Sequence, residues 1–341
     1  MTLSIIIAVV TWQKNLEECV NKCRELDYPD FEILIMPDFP FDESYLKDGD
    51  IPGLATVPIR VIPTGKVNPA RKRDIALKQA KGQLLAFLDD DAYPDKDWLK
   101  NALKNFTDSK VAAVGGPAVT PPNDSLRQKI SGAIYASILV SGNFRYRYIP
   151  GKRMEVDDFP SCNFIVRKSV MDELGGFNTD FWPGEDTKLC RDIVKASKII
   201  IYDPKALVYH HRRKAFLPHL KQIANYATHR GYFVKQYPET SFKFSYFLPS
   251  IFLLGLILGA VLIQFIPLLG RVYFTLIWLY LFLVFIFSVS NDLGIKNRLS
   301  LSGKAVLITG SFIGIILTHV CYGFYFIRGM ILPKLAEEAL Q

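Results

Sequence analysis

The sequence predicts an α/β domain followed by three helices that cross a membrane. Three observations predict it. Short β-branched runs alternate with amphipathic stretches across residues 1–206, acidic residues fall where two of those runs end, and after Lys243 the chain turns almost wholly apolar. Strands alternating with helices give a parallel sheet covered on both faces, and such sheets bind ligands beyond the carboxyl ends of their strands.

Leu3–Val10 is a continuous apolar, largely β-branched run, as a buried parallel strand requires. No charged segment precedes it, so it reads as a strand rather than as a signal peptide. A helix is expected over Asn15–Leu26, broken by Tyr28-Pro29-Asp30, with a second strand at Phe31–Met36. Thr56–Ile62 is a third strand, closed by the turn Pro63-Thr64-Gly65. Ala70–Ala80 is an amphipathic helix stopped at Gly82, and Leu84–Leu88 is a fourth strand. Further helices are expected over Asp95–Asn105 and Thr187–Lys195.

A chain of 341 residues holds one large domain or two ordinary ones. Half of it is hydrophobic and 13% aromatic, which excludes a disordered chain. Five cysteines without a CxxC pair form neither a disulfide framework nor a zinc site; free thiols in a reducing compartment are expected, with Cys19 and Cys23 on one helix face.

The net charge of +8 is unevenly placed. Residues 1–206 carry 28 basic against 29 acidic side chains, while residues 207–243 carry seven basic against Glu239 alone. A basic stretch directly before an apolar one fits anionic lipid headgroups and argues against a nucleic-acid partner. The aromatic and basic mixture over Phe216–Tyr246 suits helices lying in the membrane interface, or packing beneath the N-terminal domain.

Three spans fit the apolar third, at about 246–268, 272–290 and 305–327. Pro267–Arg271 is a turn between the first two, and Arg271 is the lone charge from Tyr246 to Ser290. Lys296, Arg298 and Lys304 share a side with the basic stretch before the first span, so the N-terminal domain is expected in the cytosol at the cell membrane, with the C-terminus outside. Apart from His319 the spans hold no readily titratable group, unlike those of transporters; they read as an anchor and a surface for a lipid substrate. The expected organisation is therefore a catalytic domain over 1–206, an interface segment over 207–243 and a membrane region over 244–341.

Two polar clusters sit at strand ends: Asp38, and Asp89-Asp90-Asp91. Three adjacent carboxylates repel unless compensated, and hard divalent cations such as Mg²⁺ or Mn²⁺ take oxygen ligands and bridge to phosphates. A solvated helix N-cap is the alternative reading of the acidic run, and Asp38 alone reads as a turn residue. In Val208-Tyr209-His210-His211-Arg212-Arg213, the histidines could complete a metal site and the arginines grip a diphosphate, or the run is a basic rim.

Taken together, these motifs resemble those of the family 2 glycosyltransferases, inverting enzymes with a GT-A fold that use nucleotide-diphospho-sugars. The resemblance runs from about Leu3 to Arg230. The opening strand and Thr11-Trp12-Gln13 resemble the family's nucleotide loop, and Glu32–Asp38 its second strand, whose terminal aspartate holds the base. Pro37 stands where a first aspartate is frequent, and Val10 where a small residue or proline is usual. Arg73-Asp74 through Gly82 resembles the Arg-Asn helix, with Asp74 for Asn. Phe87–Asp91 resembles the DxD motif, Asp89 and Asp91 being its fixed carboxylates, with Asp90 between them on the nucleotide-sugar side. Asn163–Arg167, Gly175–Phe177 and Gly184-Glu185-Asp186 resemble the acceptor-side motif.

The resemblance implies a GT-A catalytic domain that uses Mg²⁺ or Mn²⁺ and places the general base on Asp186, with Glu185 beside it and Asn163 lining the acceptor cleft. No Gln-x-x-Arg-Trp motif follows Gln222, so transfer of a single sugar is expected rather than polymerisation. The implied partners are a nucleotide-diphospho-sugar and a lipid-linked saccharide, with membrane lipids around the spans and a homo-oligomer allowed. Two alternatives stand beside this: a polyprenyl-phosphate sugar synthase, whose acceptor needs little base catalysis, and a non-catalytic scaffold of an envelope-assembly complex.

Overall fold

The computed structural model describes residues 2–46, 57–294 and 299–335. They divide into two compact units, one holding 2–119 and 149–211, the other 120–148 and 212–335.

The first unit is built on an eight-stranded sheet among the described residues. Its strands are β1 (Leu3–Ala8), β2 (Phe31–Met36), β3 (Ile59–Val61), β4 (Leu84–Asp89), β6 (Val111–Gly115), β8 (Met154–Val156), β9 (Asn163–Arg167) and β10 (Ile199–Tyr202), in the order β3-β2-β1-β4-β9-β6-β10-β8. A separate ribbon joins β5 (Ala92–Pro94), β11 (Val208–His210) and β7 (Ala118–Val119). The helices of this unit are α1 (Lys14–Arg24), α2 (Pro69–Gln79), α3 (Trp98–Leu103), α6 (Lys168–Leu174) and α7 (Glu185–Lys195).

The half of the sheet from β3 to β4 is parallel, as the sequence predicts. The other half departs from that expectation. β9 runs antiparallel between β4 and β6, and β8 antiparallel to β10, so the sheet is mixed. The third strand begins at Ile59 rather than Thr56, which itself lies outside the described residues. The expected helix over 95–105 is only the short α3, continued as a 3₁₀ turn over Lys104–Thr107.

Ile5, Ile7, Ile33, Ile35, Leu84 and Leu88 form the core with Leu16 and Val20 of α1 and the fully buried Trp98. Each such aliphatic side chain contributes roughly 1.5–3 kcal/mol by leaving water. At the amino end of the sheet Glu32 accepts from the Ser4 hydroxyl, the Lys81 N–H and the Arg60 guanidinium at 2.7, 2.7 and 2.8 Å. Burial alone would raise the Glu32 pKa, but those donors outweigh it and hold it below the usual range. Gly82 closes this corner because a Cβ there would lie 2.4 Å from the Ser4 nitrogen.

The second unit is helical. It holds α4 (Leu126–Ala136), α5 (Ile138–Ser141), α8 (Leu217–Gln236), α9 (Pro238–Ser241), α10 (Phe244–Phe265), α11 (Leu268–Gly294) and α12 (Leu301–Ile331). α10, α12 and Leu268–Ser290 of α11 are long and apolar enough to cross a membrane. Ile266, ahead of Pro267, leaves the helical region, as proline demands of its predecessor, so the turn is tighter than the sequence suggests and Arg271 already lies in α11. α8 packs along α12 through two glycines, Gly231 against the Phe326 carbonyl and Gly329 against the Thr228 carbonyl. Ile130 and Ile134, one turn apart on α4, sit over Gly310 and Gly314, one turn apart on α12. Lys296, Arg298 and the C-terminal residues used for the topology expectation lie outside the described residues.

Candidate active site

Asp89 ends the central strand β4, opposite Ala8 of β1. Three residues later the chain returns as β5, which pairs antiparallel with β11 so that His210 stands opposite Ala92. The His211 N–H donates to the Asp91 carbonyl at 2.9 Å. This ribbon carries His210 across 119 positions of sequence to Asp91, its Nε2 lying 3.0 Å from Oδ1. One ligand atom each from Asp89, Asp91 and His210 lies within 4.8 Å of the others. Two carboxylates and an imidazole converging in this way fit a divalent cation.

Arg73 joins that cluster to the start of α7. Its guanidinium donates to Asp89 Oδ1 and to Glu185 Oε1, each at 3.0 Å, and lies 5.9 and 5.5 Å from the rings of Phe87 and Phe177. Glu185 is buried, which pushes its pKa up; Arg73 opposes the shift, and the Asp89 charge adds to it. Asp186 is half-buried in the first turn of α7 and accepts the Thr187 N–H at 2.8 Å.

Asp74, expected to touch the nucleotide-sugar, instead accepts the N–H groups of Phe177 and Asn178 at 2.7 and 3.0 Å, one on each carboxylate oxygen. Burial moves its pKa up against those two bonds. The turn it fastens needs glycine at 176, where φ is +85° and a Cβ would stand 2.3 Å from Asp74 Oδ1. A network thus runs from Asp89 through Arg73 to Glu185, with Asp74 fixing the segment that leads into α7.

Asp38 follows β2 and forms an ion pair with Lys72 of α2. Thr11 is exposed and Trp12 half-buried, the Trp12 ring lying 5.4 Å from that of Phe41. Asp90 accepts a hydrogen bond from the Gln13 side chain, tying the loop after β1 to the acidic cluster.

Other expected residues lie elsewhere. His211, just past the end of β11, turns to Glu18, Nε2 to Oε2 at 2.8 Å, and is not in the converging group. Asn163 is 1% exposed; its Oδ1 accepts from the Trp98 indole at 2.8 Å and its Nδ2 donates to the Ala206 and Pro117 carbonyls at 2.8 and 3.3 Å. That side chain is saturated inside the domain and does not line a cleft. Arg212 and Arg213 belong to the helical unit. There Arg212 is buried, its guanidinium 5.2 Å from the Tyr148 ring and 5.8 Å from that of Tyr135, whereas Arg213 is exposed.

Sequence reasoning placed Gln13 in the nucleotide loop but missed its bond to Asp90, and it missed Lys72 and the role of Arg73 as a bridge. A signal existed for two of them. Ala70, Arg73 and Leu77, and Lys72 and Ala76, fall at helical spacings that form the inward face of α2, so both cations had to point into the domain.

The model of the family described as "Glycosyl transferase family 2" matches residues 4–175. The pre-mycofactocin glycosyltransferase of Mycobacterium tuberculosis is 30% identical over 145 residues, 42% of this chain and only 30% of that protein's length. A dolichyl N-acetyl-alpha-D-glucosaminyl phosphate 3-beta-D-2,3-diacetamido-2,3-dideoxy-beta-D-glucuronosyltransferase of Methanococcus voltae is 23% identical over 272 residues, covering 75% of this chain and 83% of that one. In fold, the chain is similar to the mannosyltransferase PcManGT of Pyrobaculum calidifontis, solved in complex with GDP-Man and Mn²⁺. The TM-score is 0.53 at 19% identity, over 96% of this chain and 85% of that one.

Proposed function

The chain belongs to glycosyl transferase family 2, and from that premise we propose that it moves a single sugar from a nucleotide-diphospho-sugar to a lipid-linked saccharide at the cytoplasmic face of the membrane. The observation that carries the reading is the convergence of Asp89, Asp91 and His210 in a chain that also holds three helices able to span a bilayer. The Methanococcus voltae relative, whose name describes transfer onto a dolichyl-phosphate-linked sugar, supports the choice of acceptor. The seven basic residues before the first span support the membrane face.

Asp89, Asp91 and His210 would hold Mg²⁺ or Mn²⁺, which when bound neutralises the charge that builds on the leaving diphosphate. Arg73 keeps Asp89 aimed at that site through the 3.0 Å contact and, through Glu185, fixes the first turn of α7. Asp186, next on that helix, takes the proton from the acceptor hydroxyl as the new bond forms. Asp38, Trp12 and Thr11 surround the base and ribose of the donor. α10 and α11, whose apolar side chains face outward within their unit, stand in the lipid that carries the acceptor.

A screen of nucleotide-sugars with the purified protein and Mn²⁺ tests this reading. Turnover of one donor, by transfer or by slow hydrolysis, is the expected result. No turnover of any donor, with the protein folded and Mn²⁺ bound, would leave the scaffold reading in its place.

A further inference from the structure

The first turn of α7 is fastened on both sides of Asp186. Glu185 and Thr187 are 6% and 2% exposed, while Asp186 between them is half-buried. Successive helical residues lie about 100° apart around the axis, so Glu185 and Thr187 face widely separated directions and Asp186 points between them. Arg73 holds Glu185 at 3.0 Å. Thr187 is held from another quarter: its hydroxyl donates to Oδ1 of Asp158 at 3.2 Å, and Asp158 is 3% exposed.

The next residue, Phe159, adds two contacts one turn along the same helix. Its N–H donates to Cys190 Sγ at 3.3 Å, and the Cys190 thiol donates to its carbonyl at 3.5 Å. The Phe159 ring is locked in the sheet, 6.4 and 6.1 Å from the rings of Phe164 on β9 and Tyr202 on β10. It lies so close to Gly115 of β6 that a Cβ there would stand 2.3 Å from it. The segment before β9 thus carries the rigidity of the sheet into the first turn of α7.

A threonine hydroxyl within a helix can bond back to the carbonyl four residues earlier. Here it reaches a buried carboxyl group, and an ionised carboxylate accepts more strongly than a neutral carbonyl. The Thr187 N–H meanwhile donates to Asp186 Oδ1 at 2.8 Å. Thr187 is therefore bonded to both carboxyl groups, to Asp186 by its N–H and to Asp158 by its hydroxyl.

We propose that Asp158 and Thr187 are positioning residues for the acceptor step: Asp158, acting through the Thr187 hydroxyl, sets the direction in which Asp186 presents its carboxylate to the acceptor. The inference rests on the reading of Asp186 as the general base. A base must stand within hydrogen-bond reach of the proton it takes, and helix ends fray unless they are tied. The donor is assigned to other elements, so its binding should not depend on this contact.

Single-turnover transfer tests this on the full chain in detergent, with Mn²⁺, the nucleotide-sugar turned over in the donor screen and a membrane lipid extract. Calorimetry with the same nucleotide-sugar reads donor binding beside it. Thr187→Val keeps the branched shape and removes the hydroxyl, whereas Thr187→Ser keeps the hydroxyl and removes the methyl group. Thr187→Val should slow transfer about 10–100-fold, the effect of displacing a catalytic group by about 1 Å, with donor affinity unchanged. Thr187→Ser should transfer at close to the rate of the unaltered chain, even where its thermal unfolding comes earlier. Valine transferring as fast as serine would overturn the inference.

In Asp158→Ala the hydroxyl has lost its acceptor, so adding Thr187→Val should cost nothing further. Losses that multiply in a folded double variant would contradict the coupling; if Asp158→Ala does not fold, the valine and serine pair decides alone. Asp186→Asn in the same assay separates the two readings. If it is slow and Thr187→Val is not, Asp186 remains the base and the inference falls. If neither is slow, the base assignment falls and takes the inference with it.

Discussion

The two units of this chain bury opposite kinds of polarity. In the sheet domain the interior between strands is largely aliphatic; besides Glu32 at the amino end, buried charge stands near the carboxyl ends of β1, β2 and β4, where Lys72, Arg73 and Glu185 are 2, 3 and 6% exposed. Every one of those charges has an opposite partner. In the helical unit the buried groups at the helix contacts are mostly neutral. His219 of α8 pairs Nδ1 with the Ser131 hydroxyl at 2.8 Å and Nε2 with the Thr318 hydroxyl at 3.1 Å. The apolar side chains of α10 and α11 point outward, as Leu258 at 57% and Trp278 at 70% exposure show. Paired charge survives burial at strand ends because each member has a partner and a rigid frame. Helices long and apolar enough to cross a membrane carry few charges and here join through glycine notches and hydroxyl hydrogen bonds.

The comparison breaks most severely at Asp91. Asp91→Asn removes a carboxylate from the converging group and should lower turnover by about 10³-fold or more, on the scale of removing a main electrostatic contact to a leaving group. EDTA should do the same to the unaltered protein, with Mg²⁺ or Mn²⁺ restoring it. Because the residue is confined to the sheet domain, thermal unfolding in detergent should scarcely change.

Asp186→Asn keeps the size of the side chain but cannot take a proton. If the acceptor is a sugar hydroxyl, single-turnover transfer should fall by roughly 10²–10⁴-fold, while donor affinity by calorimetry stays the same. A lipid phosphate as acceptor would make the loss much smaller, and a parallel loss of donor binding would make Asp186 structural.

The helical unit answers instead to pH. Burial lowers the His219 pKa from 6.5 to about 4, with the Arg212 charge adding to the shift. Below pH 6.5 the unfolded chain takes up a proton that the folded one refuses, so stability present above that pH declines as pH falls toward 4. The full loss is about 3 kcal/mol, and His219→Gln should unfold with a flatter pH dependence between 7 and 4.

The smallest effect is expected at Gly329. A Cβ there would stand 2.0 Å from the Thr228 carbonyl, so Gly329→Ala must push α8 and α12 apart. It should cost about 1–3 kcal/mol in unfolding measurements and leave nucleotide binding unchanged.

The parallel half of the sheet and the three long apolar helices were legible because each is carried by a continuous run: Leu3–Ala8, Phe31–Met36, Leu84–Leu88, and the apolar third. The antiparallel half was not. β6 is Val-Ala-Ala-Val-Gly, with little strand preference of its own, and β9 enters the sheet between strands distant in sequence. Nor could local pattern tell that Thr120–Tyr148 packs with the C-terminal helices, since the fit of Ile130 and Ile134 over Gly310 and Gly314 exists only in three dimensions. In the site, the carboxylates were readable from their place at strand ends. The pairing of His210 rather than His211 with Asp91 depends on the register of β5 against β11, which no spacing announces.

The proposed function has the charged strand ends handle the donor while the helical unit faces the lipid that brings the acceptor. Its most direct test is transfer of labelled sugar by the purified full chain in lipid nanodiscs, with Mn²⁺, its preferred nucleotide-sugar and a membrane lipid extract. Label is expected in an organic-extractable product, formed only when the extract is added and abolished in Asp91→Asn. Label released as free sugar at the same rate with or without the extract, or product formation undiminished in Asp91→Asn, would contradict it.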